Sequence, residues 1–146
     1  MTWDRIVGAF TFRKEVYSEV EHDTSFTTTA WLIVAIVAFL NQVGSFASTD
    51  ILGWLIGAVV GTIFAVIGFA VAAAIISWVG KSVFHAEVSF DEMVRTLGLA
   101  YVWNVVGVLG IIGLVPALAC IIAPVVFIAW ILGLVAWFIA AKEALD

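Results

Sequence analysis

Charge is what this chain has least of. Its 146 residues hold six Lys or Arg and eleven Asp or Glu, 12% in all, against 64% hydrophobic. A soluble domain is about a quarter charged. With a mean hydropathy of +1.20, the bilayer has to be the solvent for most of this surface. Six basic side chains form no patch able to neutralise phosphates, which excludes nucleic acid as a partner. Cysteine is nearly absent too: Cys120 stands alone, so no internal disulfide can form. His22 and His85 lie in no H-x-x-x-H or C-x-x-C spacing, and no metal site is expected. Nothing pairs a nucleophile with a base, and neither a P-loop nor a dinucleotide fingerprint occurs. The chain is expected to be no enzyme and to carry no cofactor. A cleavable leader is not expected either, because Asp4 and Arg5 stand where a basic start and an apolar core would be needed.

What the chain does contain is long runs without charge. Ile51 to Gly80 is one, closed by Lys81, and Leu97 to Ala141 is another. About 20 apolar residues cross a bilayer as a helix, so the first run is one span and the second is two. Gly113 to Pro116 is the break, since a proline disfavours helix at the residue before it. The reading is an all-α, polytopic helical membrane protein. Four transmembrane helices at about 30–48, 51–80, 97–112 and 117–140 form a bundle over 30–141. A cytoplasmic, interfacial segment (1–29) precedes it and a tail (142–146) follows. Hydroxyls between Asp23 and Thr29 suit the start of the first span. Ser89 with Glu92 has the spacing of a capping box ahead of the third, and Pro124 reads as a tolerated kink.

Within the first segment, Trp3, Ile6, Val7 and Phe10 fall at i, i+3, i+4 and i+7. This is one face of a short amphipathic helix that lies in the headgroup region or packs on the bundle. Gly53, Gly57 and Gly61 in the second span, and Gly107, Gly110 and Gly113 in the third, are read as small-residue faces for close helix packing, within the chain or between chains. Asn41, Gln42 and Asn104 are the intramembrane polar residues singled out, best used as hydrogen bonds between helices. No ionisable side chain falls inside a span, which argues against proton relays and ion-coupled transport.

Four spans place all six basic residues, Arg5, Arg13, Lys14, Lys81, Arg95 and Lys142, on one side of the membrane. Basic residues stay cytoplasmic, so both termini are expected there.

Three stretches resemble the Yip1 family as it occurs in prokaryotes. They are TFRKEVYSEVEHD (11–23), VSFDEMVRTLGLAYV (88–102) and IAWILGLVAWFIAAKEALD (128–146). The resemblance implies a multi-pass protein with a cytoplasmic N-terminus, usually of five spans, in the plasma membrane of a prokaryotic cell. Eukaryotic members engage Rab GTPases and one another in vesicle traffic. Here Glu15-Val16-Tyr17-Ser18-Glu19 stands where those members carry D-L-Y-G-P, which does not favour a Rab-binding role. The sequence ends at Asp146, where a fifth span would follow in the family.

The expected function is that of a non-enzymatic interaction or structural protein. It would assemble through small-residue helix faces as a homo-oligomer or as an accessory subunit of a larger membrane complex, with the lipid bilayer as its other partner. The alternatives are a small carrier of an uncharged or lipid-like substrate and a membrane-shaping factor of the Yip1 type.

Overall fold

A computed structural model describes residues 2–146. Six α-helices and one 3-10 helix follow in order, with no strand among the described residues: α1 (Thr2–Phe10), α2 (Lys14–His22), α3 (Phe26–Ser45), α4 (Ile51–Val83), α5 (Phe90–Ala100), the 3-10 helix (Tyr101–Leu114) and α6 (Pro116–Leu145). Four rods are long and apolar enough to cross a membrane: α3, α4, α5 with the 3-10 helix, and α6. The chain is a multi-pass helical membrane protein.

Local chemistry sets the ends of these rods. Asp50 caps α4, its carboxylate accepting from the Gly53 amide at 3.2 Å. Ser89 and Glu92 form the expected capping box at α5, each side chain accepting the other's backbone N–H. Pro116 opens α6 at its first position, where its missing N–H would have had no partner anyway. The first span departs from expectation. It starts at Phe26 and ends at Ser45, with its threonines inside the helix and no side-chain hydrogen bond from Ser25 at its N-cap. Asp23 shapes the turn instead, accepting from both the amide and the hydroxyl of Ser25. Those bonds, with that from Arg5, hold the Asp23 carboxyl below the usual carboxylate range.

The third span departs further. Fourteen of its residues, Tyr101 to Leu114, are 3-10 rather than α-helix. Such runs rarely exceed three or four residues, and two features account for this one. As α-helix, Leu97 to Leu114 would reach about 27 Å, short of the roughly 30 Å of hydrocarbon; with the 3-10 run it reaches about 34 Å. Side chains three apart also eclipse in a 3-10 helix. Asn104, Gly107, Gly110 and Gly113 therefore share one line, whereas in an α-helix the first and last would point about half a turn apart.

That line packs on α3. A Cβ on Gly44 would collide with the Gly107 carbonyl, one on Gly110 would collide with Gly44, and one on Gly107 would strike the Asn41 side chain. Here glycine is required, because backbone meets backbone. Gly98 continues the contact against Ala30. On the other side of α3, Gly57 and Gly61 of α4 receive Phe46 and Gln42. The two glycine rows thus grip opposite faces of α3 and never meet each other.

All four spans converge at Phe69, which is 2% exposed. Its ring lies edge-on to Trp31, Tyr101 and Trp137, at 5.6, 5.5 and 6.0 Å between centroids. Residues of α2, of the α4–α5 connection and of the end of α6 surround a common cavity, so the polar segments share one end of the molecule, called the polar end below.

Candidate functional site

At the polar end the surface helices are fastened to the spans by two residues. Arg95 is 4% exposed on α5. Its Nε donates to the carbonyls of Val20 and Glu21, at 2.9 and 3.0 Å, its Nη2 to the Glu21 carbonyl, and its Nη1 to Thr27 Oγ1 at 3.1 Å. Val20 and Glu21 are in the last turn of α2, whose carbonyls carry the negative end of the helix dipole; that of Val20 also accepts from the Asp23 amide at 3.3 Å. A planar guanidinium satisfies several at once. Glu21 follows on the same turn, and burial pushes its carboxyl above the ordinary range.

Trp103 is the second fastening. Its Nε1 donates to the Ala9 carbonyl at 3.3 Å, and its ring is flanked by Phe10 at 5.1 Å and Phe12 at 5.3 Å. Phe12 takes a φ of 56°, a conformation costly for a bulky side chain, and this reversal is what brings both phenyl rings to one indole. Arg5 completes the corner, with Nη1 on Asp23 Oδ2 at 2.7 Å and its guanidinium 5.3 Å from the centre of the Phe26 ring.

Deeper in the membrane a polar cluster links α3 to the 3-10 helix. Asn41 Nδ2 donates to the Asn104 carbonyl at 2.8 Å, Ser45 Oγ donates to the Asn41 carbonyl at 2.9 Å, and Asn104 Nδ2 donates to the Tyr101 carbonyl at 3.3 Å. A groove of 650 Å³ opens beside it, lined by Asn41, Ser45 and Asn104, by Gly110 and Gly113, and by apolar residues of α6.

The residues singled out from sequence divide accordingly. Asn41 and Asn104 come together, while Gln42 faces Gly61 on the other side of α3. Gly57, Gly61, Gly107 and Gly110 are covered within the chain. Gly53 meets only its own cap, Asp50, and Gly113 has no neighbour within 4 Å of a would-be Cβ. The α1 face is split: Ile6 and Phe10 pack against the core, whereas Trp3 and Val7 are exposed. Arg95 was legible only as a basic residue before the third span, and Trp103 carried no signal at all. A lone arginine one turn ahead of an apolar run is the clue that could have marked the first.

A row of apolar helices with polar ends, close glycine contacts and an amphipathic surface helix defines the class: a polytopic integral membrane protein built as a helical bundle. The Yip1 domain profile matches residues 7–146, so the chain belongs to the Yip1 family. No curated protein and no solved structure matches it.

Proposed function

We propose that this is a non-enzymatic interaction protein of the membrane, one that assembles with further copies or with another membrane protein along the outer face of α4. One observation carries the reading. The apolar windows of α4 and α6 are each only 11% buried, against 33% for α3, and α4 has an uncovered notch midway. Gly68 has nothing within 4 Å of a would-be Cβ, and the exposed Phe64, Ile67, Val71 and Ile75 surround it. A small residue in an apolar face admits a neighbouring helix closely. Because Gly57 and Gly61 are used on α3, Gly80 on Leu145 and Gly53 at its own cap, Gly68 is the position that separates assembly from folding. Gly68→Phe is expected to reduce the oligomer, or the co-purified partner, in mild detergent while stability stays within about 0.5 kcal/mol of wild type, as for surface changes. A particle of unchanged size would overturn the reading.

The orientation belongs to the same proposal. The six basic residues lie on segments that share the polar end, and this supports placing both termini in the cytoplasm of a prokaryotic cell. A cysteine placed at Asp50 should then react with impermeant maleimide from outside intact cells; labelling only after lysis would overturn it.

The groove at Asn41 and Asn104 favours a second reading, in which the protein handles a lipid-like molecule.

A further inference from the structure

We propose that the seam between the 3-10 helix and α6 is a binding site for a lipid alcohol, with the hydroxyl at Asn41, Ser45 and Asn104 and the apolar chain laid along the α6 wall between Ala119 and Trp137. This deepens the second reading and does not depend on the assembly through α4.

Three adjoining cavities of 650, 180 and 50 Å³ follow this seam, and Asn104 and Trp130 line all three. They run from Gly113 to Tyr101 on the 3-10 helix and from Ala119 to Trp137 on α6. That is about 24 Å of 3-10 helix, more than half the roughly 30 Å thickness of the hydrocarbon core. The shape is long and narrow, like an extended chain. Its walls are apolar, from Ile122, Val126 and Phe127 through Trp130 to Leu134 and Trp137. The small Ala119 and Ala123 leave the wide end open.

The polar side chains within this crevice specify the ligand. One amide N–H of Asn41 and one of Asn104 are engaged by backbone carbonyls. The Asn104 side-chain oxygen accepts no hydrogen bond among the described residues, and that of Asn41 has only the Ser45 hydroxyl, at 3.5 Å, where little bonding remains. The site therefore offers open acceptors beside a second N–H on each amide, and a group that both donates and accepts fits it. An unsatisfied amide oxygen in hydrocarbon is costly, and with no Asp, Glu, Lys, Arg or His among the lining residues a charged headgroup would have no counter-ion. A hydroxyl on an otherwise apolar molecule meets both conditions. Diacylglycerols and isoprenoid alcohols share that chemistry.

The test uses the full-length protein in nanodiscs with two photoactivatable probes, a diazirine diacylglycerol and a diazirine isoprenoid alcohol, each beside its methyl ether. Labelling of α6 between Ala119 and Trp137 by at least one alcohol, with the ether about tenfold weaker for the loss of one buried hydrogen bond, is the expected result; the probe that labels tells the two sources apart. Ala123→Phe, which fills the wide end from the α6 side, should abolish labelling while the melting midpoint holds. Asn104→Leu should erase the difference between alcohol and ether. Equal labelling by alcohol and ether in the wild type, labelling spread over α4, or labelling unchanged in Ala123→Phe would each overturn the site. Neither arm reads flux or oligomer size, so failure here leaves the assembly through Gly68 standing, and the reverse holds too.

Discussion

Arg95→Met should cost about 3–5 kcal/mol, the range seen when a buried charged hydrogen-bond network is broken, and should release α2 from the spans. Methionine fills much of the volume but donates nothing, so the Val20 and Glu21 carbonyls and the Thr27 hydroxyl lose their shared donor at once. Water cannot fully replace it, because α5 is buried from Met93 to Ala100. Arg95→Lys keeps the charge but offers one compact ammonium in place of a fork, and it should recover less than half of the loss. Thermal unfolding in detergent measures the cost, and limited proteolysis between Tyr17 and Phe26 reports the release. An unchanged midpoint for Arg95→Met would show that the α2 terminus is held by other means.

Gly44→Ala is expected to be nearly as damaging although it adds a single methyl group. The added Cβ would have to occupy the place of the Gly107 carbonyl and crowd the Val108 backbone. A side chain could rotate aside, but a main chain can yield only by moving a helix. Overpacking a tight core costs about 1–3 kcal/mol, and more where backbone must shift. The expected readout is a lower unfolding midpoint in detergent. Gly113→Ala is the matched control. It lies on the same line of the 3-10 helix but faces open space, so it should be tolerated. Equal effects from the two substitutions would refute the close contact.

Much of the architecture was legible in the sequence because it rests on hydrophobic runs. Charge-free stretches mark the four spans, and Ser89 with Glu92 and Pro116 mark two helix starts, since capping is decided by a few adjacent residues. The 3-10 geometry was not legible from periodicity. Glycines three apart read as one face under either helix, and only the α3 backbone against them decides between the two. The same limit applied to the glycine rows: spacing reports that something packs closely, not what does. For the candidate site, Asn41 and Asn104 stood out because amides are rare in such runs, but Gln42, one residue along, points to another helix. A rotation of about 100° per residue separates them, and that phase depends on tertiary packing. Arg95 was hidden for a simpler reason. Charged residues are almost never fully buried without a partner, and its partners are backbone carbonyls 74 and 75 positions away, which no local pattern announces.

Trp103 gives the surface helices a mechanical role. It belongs to the third span, yet its indole is clasped by Phe10 and Phe12 and tied to the Ala9 carbonyl. With Arg95 holding α2 from the same rod, the N-terminal segment is not a free arm but a lever rigidly mounted on one membrane crossing. When that crossing leans, as a helix does to match a thinner bilayer, α1 turns with it. The exposed Trp3 at its tip then changes its angle to the lipid surface.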